Sequence, residues 1–566
     1  MGAQEIKSAL ARGNPVAAIR RSGRRFARRP RAMQLRTVAI ALGTIVGMVV
    51  YLAGAPSSSG TSGSGGLQGA GAPRSAAPTP TFQALADTTS SATPAARLVS
   101  TAASPSAAPS ATTTTTTTTP GAGTATTGLS PVDQASTSTR GVTAKTINVV
   151  FPVVNLQALS SQVGFAGDIE FTEQAKAINL YVNEINAHGG INGRKINPII
   201  ANFDPTNEAS MRSLCKDWTE GSPAAFAVVD GAGTWTGADQ LCVTQEGQTP
   251  LLSAWTTVTN WTQMGSPYLW WTGTDQAAII ATTVSWGKSA GLIGGSRKVG
   301  VIAGDRASDQ LALNQYLLPD LRNAGITPVV ETIAAGLSET ATTGTEAPLI
   351  IQRFRSAGVQ SVIPLIPFNA FFPLLQAETQ QMYLPKLLLS DYEGSIESGL
   401  GLIPIPYVDA LNGQEGITAY TLGGFDDARP EAQGGYDAGV RSCFTTFHQA
   451  YPKAVKGNES FYIEEQGPIV GWCQAVRLFA QAATMAGPNL NRRTFVQSMS
   501  KITNYPGTLS PILTYGPNKF YGPTQYQVVR LHNNTPPSSQ CKLKTNHKPQ
   551  GTCWVVVQTW RPLTPG

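Results

Sequence analysis

The stretch Lys145–Asp204 decides the fold: Thr146-Ile-Asn-Val-Val-Phe-Pro-Val-Val154 opens it and Ile196–Phe203 closes it. The opening run is mostly β-branched and apolar and reads as a buried strand. A polar loop follows, from Asn155 to Gly167. Phe171, Ala175, Ile178, Val182 and Ile185 then recur at spacings of 4, 3, 4 and 3, one apolar stripe of a helix. Gly189-Gly190 stops that helix, because glycine takes the left-handed conformation past a helix end at no steric cost. Ile191-Asn-Gly-Arg-Lys195 turns the chain into the second strand. A strand–helix–strand unit of this kind implies a parallel pair with a right-handed crossover. Parallel sheets bind ligands beyond the carboxyl ends of their strands, which here means the loop from Asn155.

Within this stretch, Ile185-Asn-Ala-His-Gly-Gly-Ile-Asn-Gly-Arg-Lys-Ile196, followed by Asp204, resembles the IN-x-x-GGI-x-G-x-x-I…D signature of type I periplasmic binding proteins. Within that family it is most similar to the branched-chain amino-acid-binding group (Leu/Ile/Val-binding-like) that serves ABC transporters. The similarity runs from about Thr146 to the C-terminus and weakens after Asp391. It implies an α/β fold of two doubly wound parallel-sheet lobes, joined by hinge strands that the chain crosses more than once.

Composition sets the frame. The 566 residues carry 41% apolar side chains, enough for a large core, and a net charge of +7. That charge is local: residues 1–36 hold ten Lys/Arg against one acid, and the remainder has more acids than bases. The basic balance therefore describes a tail rather than a nucleic-acid-binding surface. Residues 37–55 follow without a charge, long enough as a helix to span nearly the ~30 Å hydrocarbon core. Positive charge before them places residues 1–36 in the cytoplasm and the rest outside. An uncleaved anchor is the favoured reading; cleavage after Ala55 would give a secreted protein. Residues 56–142 are a Ser/Thr/Ala/Pro/Gly-rich linker with eight consecutive threonines at 112–119, too poor in apolar surface to offset chain entropy. From about Thr143 strands and helices alternate. Residues 143–275 and 416–505 are expected to form lobe 1, and residues 276–415 and 506–566 lobe 2.

Six cysteines without a C-x-x-C pair, and only four histidines, argue against a zinc site. An even count beyond a membrane segment points to disulfides. Proximity in sequence pairs Cys215 with Cys242, Cys443 with Cys473 and Cys541 with Cys553, although fifteen pairings are possible for six cysteines.

No catalytic constellation stands out, and the protein is not expected to be an enzyme. Gly287-Lys288-Ser289 mimics the end of a phosphate-binding loop, but Thr282 occupies the position of its first glycine. The resemblance implies a small-molecule ligand, no cofactor and no metal. Its partner would be an ABC permease or another membrane partner; a sensor signalling through a separate partner is the alternative. Aligned on the preceding strands, Thr234 and Thr257, with Thr256 beside them, match the hydroxyls that hold an amino acid's charged ends. Phe368, with Asn369 next to it, matches an aromatic contributed by lobe 2. Asp391 and Tyr392 fall near the family's ammonium-binding carboxylate. Trp235 and Trp255 stand where small residues are usual. If they line the cleft, the ligand is flat, aromatic or apolar, since tryptophan offers a broad stacking face and one N–H.

Overall fold

Burial on both faces explains the apolar runs. In β1 (Thr146–Val154), Ile147, Val149, Phe151 and Val153 enter one apolar cluster, while Val150 and Val154 enter another. A strand covered on both sides needs apolar residues at successive positions, so the usual alternation disappears. The computed structural model describes residues 130–154, 171–204, 207–233, 235, 237–254, 259–336, 339–392, 411–420, 438–452, 463–532 and 553–565.

From β1, α1 (Phe171–Ala187) returns the chain to β2 (Lys195–Phe203), which pairs in parallel with Ile147 opposite Ile196. Next come α2 (Glu208–Glu220), capped by the Asn207 side chain, and β3 (Ala227–Asp230). The short α3 (Ala238–Leu241) continues through a π turn at Cys242–Glu246. Then β4 (Leu251–Ser253), α4 (Thr259–Gly265) and β5 (Leu269–Trp271) complete a five-stranded parallel sheet of order β2-β1-β3-β4-β5.

The second sheet repeats the plan. It begins with α5 (Gln276–Ser289) and β6 (Val299–Gly304). A composite helix follows: α6 (Ala307–Ala312), a π turn at Leu313–Leu317, and α7 (Leu318–Asn323). Then come β7 (Val329–Ile333), α8 (Thr340–Ala357), β8 (Ser361–Leu365), α9 (Phe368–Gln380), β9 (Lys386–Ser390) and β10 (Glu415–Thr418). The chain now returns to cover the first sheet with α10 (Ala438–Ala450), α11 (Ile463–Met485), α12 (Arg492–Met499) and the small pair β11 (Tyr505–Pro506) and β12 (Ile512–Leu513). Finally β13 (Gln525–His532) and β14 (Cys553–Pro562) add an antiparallel edge to the second sheet, whose order is β14-β13-β10-β9-β8-β6-β7.

Among the described residues the backbone passes between the sheets three times. It leaves β5 through Thr272–Asp275, returns after β10 at Ala419–Tyr420, and leaves again after Phe520. The first and third passages pair: Trp271 N–H donates to the Phe520 carbonyl at 2.8 Å, and Gly522 N–H to the Trp271 carbonyl at 3.0 Å. All three lie at the carboxyl ends of parallel strands, since Gln527 of β13 is level with Thr418 at the end of β10. The carboxyl edges of both sheets therefore lie on the side of the junction.

Several boundaries differ from expectation. Residues 130–142, expected within the linker, include part of the globule: Val132 and Ala135 enter the first core, and Gln497 and Arg493 of α12 donate to Asp133 and to the Ala135 carbonyl at 2.7 Å each. Two apolar side chains sufficed where the surrounding composition is that of a linker. Residues 506–523 belong largely with the first sheet, because Leu509, Leu513, Tyr515 and Phe520 fill its core; only β13 and β14 join the second. Helix α8 starts at Thr340, with Thr343 Oγ1 donating to the Ala334 and Glu339 carbonyls. Cys215–Cys242 and Cys443–Cys473 are disulfides as expected. The 541–553 pairing lies outside the described side chains, as does segment 37–55. Among the described residues no helix is long and apolar enough to cross a membrane.

One contact seats α11 on the first sheet. A Cβ on Gly471 would collide with the Gly231 carbonyl oxygen, and one on Gly231 would lie 2.7 Å from the Trp472 Cα. Helix and β3 turn meet backbone to backbone. Gly471→Ala is expected to destabilise the fold by about 1–3 kcal/mol through overpacking. Gly344→Ala in α8, where nothing lies within 4 Å of a new Cβ, should instead be neutral or stabilising. Urea midpoints of the two variants check the opposite signs.

Candidate functional site

Strand order reverses between β1 and β3 in the first sheet and between β6 and β8 in the second. The crevice outside the carboxyl ends of such a pair is where doubly wound sheets bind ligands. Both crevices lie on the junction side, so the candidate site is the cleft between the two sheets.

On the first side, the loop after β3 is held at three points. Asp230 is buried; its Oδ2 accepts from Trp235 N–H at 2.8 Å and its carbonyl accepts from Ala254 N–H at 2.9 Å. The Trp235 carbonyl accepts from Gln240 Nε2 at 2.7 Å. The Trp235 ring packs 4.5 Å from Trp218 and 5.1 Å from Phe203, in the cluster that also contains the Cys215–Cys242 disulfide. Trp235 is fully buried and offers no stacking face, contrary to the role its position suggested. It anchors the loop that carries Thr234. The reason is local: α2 places Trp218 directly against it, and burying both rings outweighs exposing one. Thr234, Trp255, Thr256 and Thr257 lie outside the described residues.

On the second side, Gly304 ends β6 where a Cβ would collide with the Asp309 carboxylate. Asp309 accepts from Arg306 Nε and Nη2 at 2.7 and 2.8 Å and from the Tyr392 hydroxyl at 2.7 Å. Asp305 accepts from Ala335 N–H at 3.0 Å. Asn369, in the first turn of α9, donates through Nδ2 to the Ala335 and Gly336 carbonyls at 3.3 Å each. These bonds lace together the ends of β6, β7 and β8. Asp391 Oδ2 accepts from Ala419 N–H at 2.6 Å and so clamps the second passage. Tyr392 is fully buried in the second core, with its hydroxyl on Asp309 rather than in the cleft. Phe368 opens α9, but its side chain is outside the described set.

Between the sheets lies a cluster that sequence reading missed. Asp275 caps α5, its Oδ1 accepting from Thr259 Oγ1 at 2.9 Å and from the N–H groups of Ala277 and Ala278 at 3.0 and 3.3 Å. The Thr259 hydroxyl also meets the Tyr316 side chain, carried by the π turn of the second lobe. Lys519 Nζ donates to the Thr514 and Tyr521 carbonyls at 2.6 Å and stands 4.0 Å above the Tyr521 ring. Burial raises Asp275 to about 6, against the attraction of Lys519, and lowers Lys519 to about 7. The available signal was Thr274-Asp275 directly before a helix, a capping pattern. The Tyr316 contact had none, because a π turn rotates the side chains beyond it off the 3.6-residue pattern.

Gly287-Lys288-Ser289 closes α5 instead of opening a helix. Among the described residues no group of three or more His, Cys, Asp or Glu could hold a metal.

Comparison with known proteins gives the family. The sequence pattern of the family described as "Periplasmic binding protein" matches residues 156–535, and the chain belongs to that family, with its type I fold. The family places the globule outside the cytoplasm. No curated protein sequence matches. Among solved structures, a fatty acid ABC transporter substrate-binding protein from Thermomonospora curvata is 16% identical with a TM-score of 0.51, covering 74% of this chain and 93% of that one. A solute-binding protein of an ABC transporter from Rhodopseudomonas palustris BisB5, in complex with 3,4-dihydroxybenzoic acid, is 13% identical with a TM-score of 0.53, covering 74% and 98%. A type 1 periplasmic binding protein from Bordetella pertussis Tohama I is 16% identical with a TM-score of 0.51, covering 69% and 98%.

Because the folded state binds the Asp275 proton more tightly than the unfolded chain, stability should fall as pH rises from about 4 to about 6 and level off above. Asp275→Asn keeps an oxygen for all three cap donors and removes the charge. Its stability relative to the unchanged chain should rise across that window, by at most about 3 kcal/mol. Urea unfolding at pH 4 and pH 7 measures the difference.

Proposed function

We propose that this protein captures a small organic solute, amino-acid-like or aromatic, in the cleft between its two lobes and presents it to an ABC importer. The observation that carries this reading is the placement of both switch-point crevices on the side where the three passages join the sheets. An open form would admit the solute to one crevice, and closure would add contacts from the other. The solute's greater affinity for the closed form drives that shift. The passages at 272–275, 419–420 and 520–524 serve as the hinge, and the Thr259–Tyr316 contact of this structure spans it in the closed form. Thr234, Trp255, Thr256, Thr257, Phe368 and Asn369 remain the proposed contact residues. The 3,4-dihydroxybenzoic acid held by one structural relative, and the description of another as a fatty acid transporter's binding protein, support a solute class wider than amino acids. Residues 37–55 are proposed to hold the globule at the membrane, through the Ser/Thr/Ala/Pro/Gly-rich segment that follows them.

Mass spectrometry of molecules co-purifying with the folded chain should find such a solute, and a detergent pull-down should recover permease subunits. A chain that carries no solute, and that no amino acid or aromatic acid protects against thermal unfolding, overturns the reading. Tyr316→Phe removes the hydroxyl that meets Thr259 on closure and is expected to weaken solute affinity by about threefold to tenfold. Unchanged affinity would remove this contact from the closure mechanism.

A further inference from the structure

Asn369 carries more information than its position beside the β6/β8 switch point. Its side chain is buried, with 5% of its surface exposed. Nδ2 faces two carbonyl oxygens, those of Ala335 and Gly336, at 3.3 Å. This settles which way the amide points, because a flipped amide would set its own oxygen against two others. The remaining atom, Oδ1, has no hydrogen-bond partner among the described residues. A buried acceptor without a donor is costly, and native structures satisfy nearly all such groups. The amide lies across the carboxyl ends of β7 and β8, beside the β6/β8 switch point. Oδ1 accepts and cannot donate.

The first lobe shows a related feature. Gln174 has 1% of its surface exposed, and neither its Oε1 nor its Nε2 has a partner among the described residues. It shares the core-facing side of α1 with Ala177, Ile178 and Tyr181, toward the end of the helix that lies by the carboxyl end of β1. With both atoms open it can donate or accept, so it sets no sign. Asn369 does.

We propose that the cleft selects solutes bearing a hydrogen-bond donor, a hydroxyl or an amino group, which Asn369 Oδ1 accepts. This rests on the solute-binding reading above and narrows it. Amino acids and hydroxylated aromatic acids satisfy the requirement. A simple fatty acid anion or an unsubstituted aromatic acid brings only acceptors at neutral pH and leaves Oδ1 unpaired.

The test uses the full chain and two matched pairs of probes in calorimetric titration. L-Leucine is set against 4-methylpentanoate, and 4-hydroxybenzoate against benzoate. In at least one pair, the member with the donor should bind at least about tenfold more tightly, the penalty expected for an unpaired buried acceptor. Asn369→Leu should bring that ratio to about one. The ratio matters because general loosening of the fold weakens both members alike. Measuring the pairs on the unchanged chain keeps the test decisive even if the variant does not fold. Equal binding within both pairs overturns the inference and leaves the solute-binding reading standing. A preference that persists in Asn369→Leu also overturns it, since another group then reads the donor. Binding of none of the four probes counts against the solute-binding reading itself, and the inference falls with it.

Discussion

The backbone of Trp271 ties the molecule together. Its N–H donates to the Phe520 carbonyl, and its own carbonyl accepts from Gly522 N–H and from the Tyr515 hydroxyl at 2.9 Å. Residues some 250 positions apart in sequence are thereby joined where the chain first leaves the first sheet. Without this pairing the two sheets would be linked by single strands, and their carboxyl edges would have no defined common side. The Trp270 ring beside it is buried against Phe520, 4.7 Å away, so the core of the first lobe fixes the same junction. A cleft bordered by such a junction changes width by bending a few passages, while each sheet keeps its own packing.

Polar groups near the cleft fall into two kinds. Most are consumed by the scaffold. Asp230 holds Trp235, Asp309 gathers Arg306 and Tyr392, and Asp391 clamps Ala419. Carboxylates placed in this way brace loop backbones at the ends of strands, where ladder hydrogen bonds run out. A smaller set keeps open valence. Asn369 Oδ1 and the Gln174 amide belong to it, and these neutral groups can stay buried without the desolvation penalty of a charge.

Much of the fold could be read from residues 145–204, because a strand buried on two faces and an amphipathic helix write their periods directly into the sequence. The helix stripe was read nearly correctly; the buried face is centred on Ala177, Ile178, Tyr181 and Val182. The site was less legible. Trp235 fits a cleft aromatic by its place after β3, and nothing nearby in sequence announces that Trp218 and Phe203 enclose it. Asp391 and Tyr392 sit at the right strand end, yet their partners, Ala419 and Asp309, come from other elements.

From sequence alone, this protein's alternation of strands and helices and its two runs of parallel units could be determined, and proximity pointed to the Cys215–Cys242 and Cys443–Cys473 disulfides. These depend on local periodicity and on short loops, which neighbouring residues encode. Only the tertiary structure decided that residues 509–520 complete the first lobe, that Trp235 is an anchor, and that the open end of the Asn369 amide is its oxygen. Each of those depends on which distant backbone comes within hydrogen-bonding or packing distance, and that is set by the whole chain closing on itself.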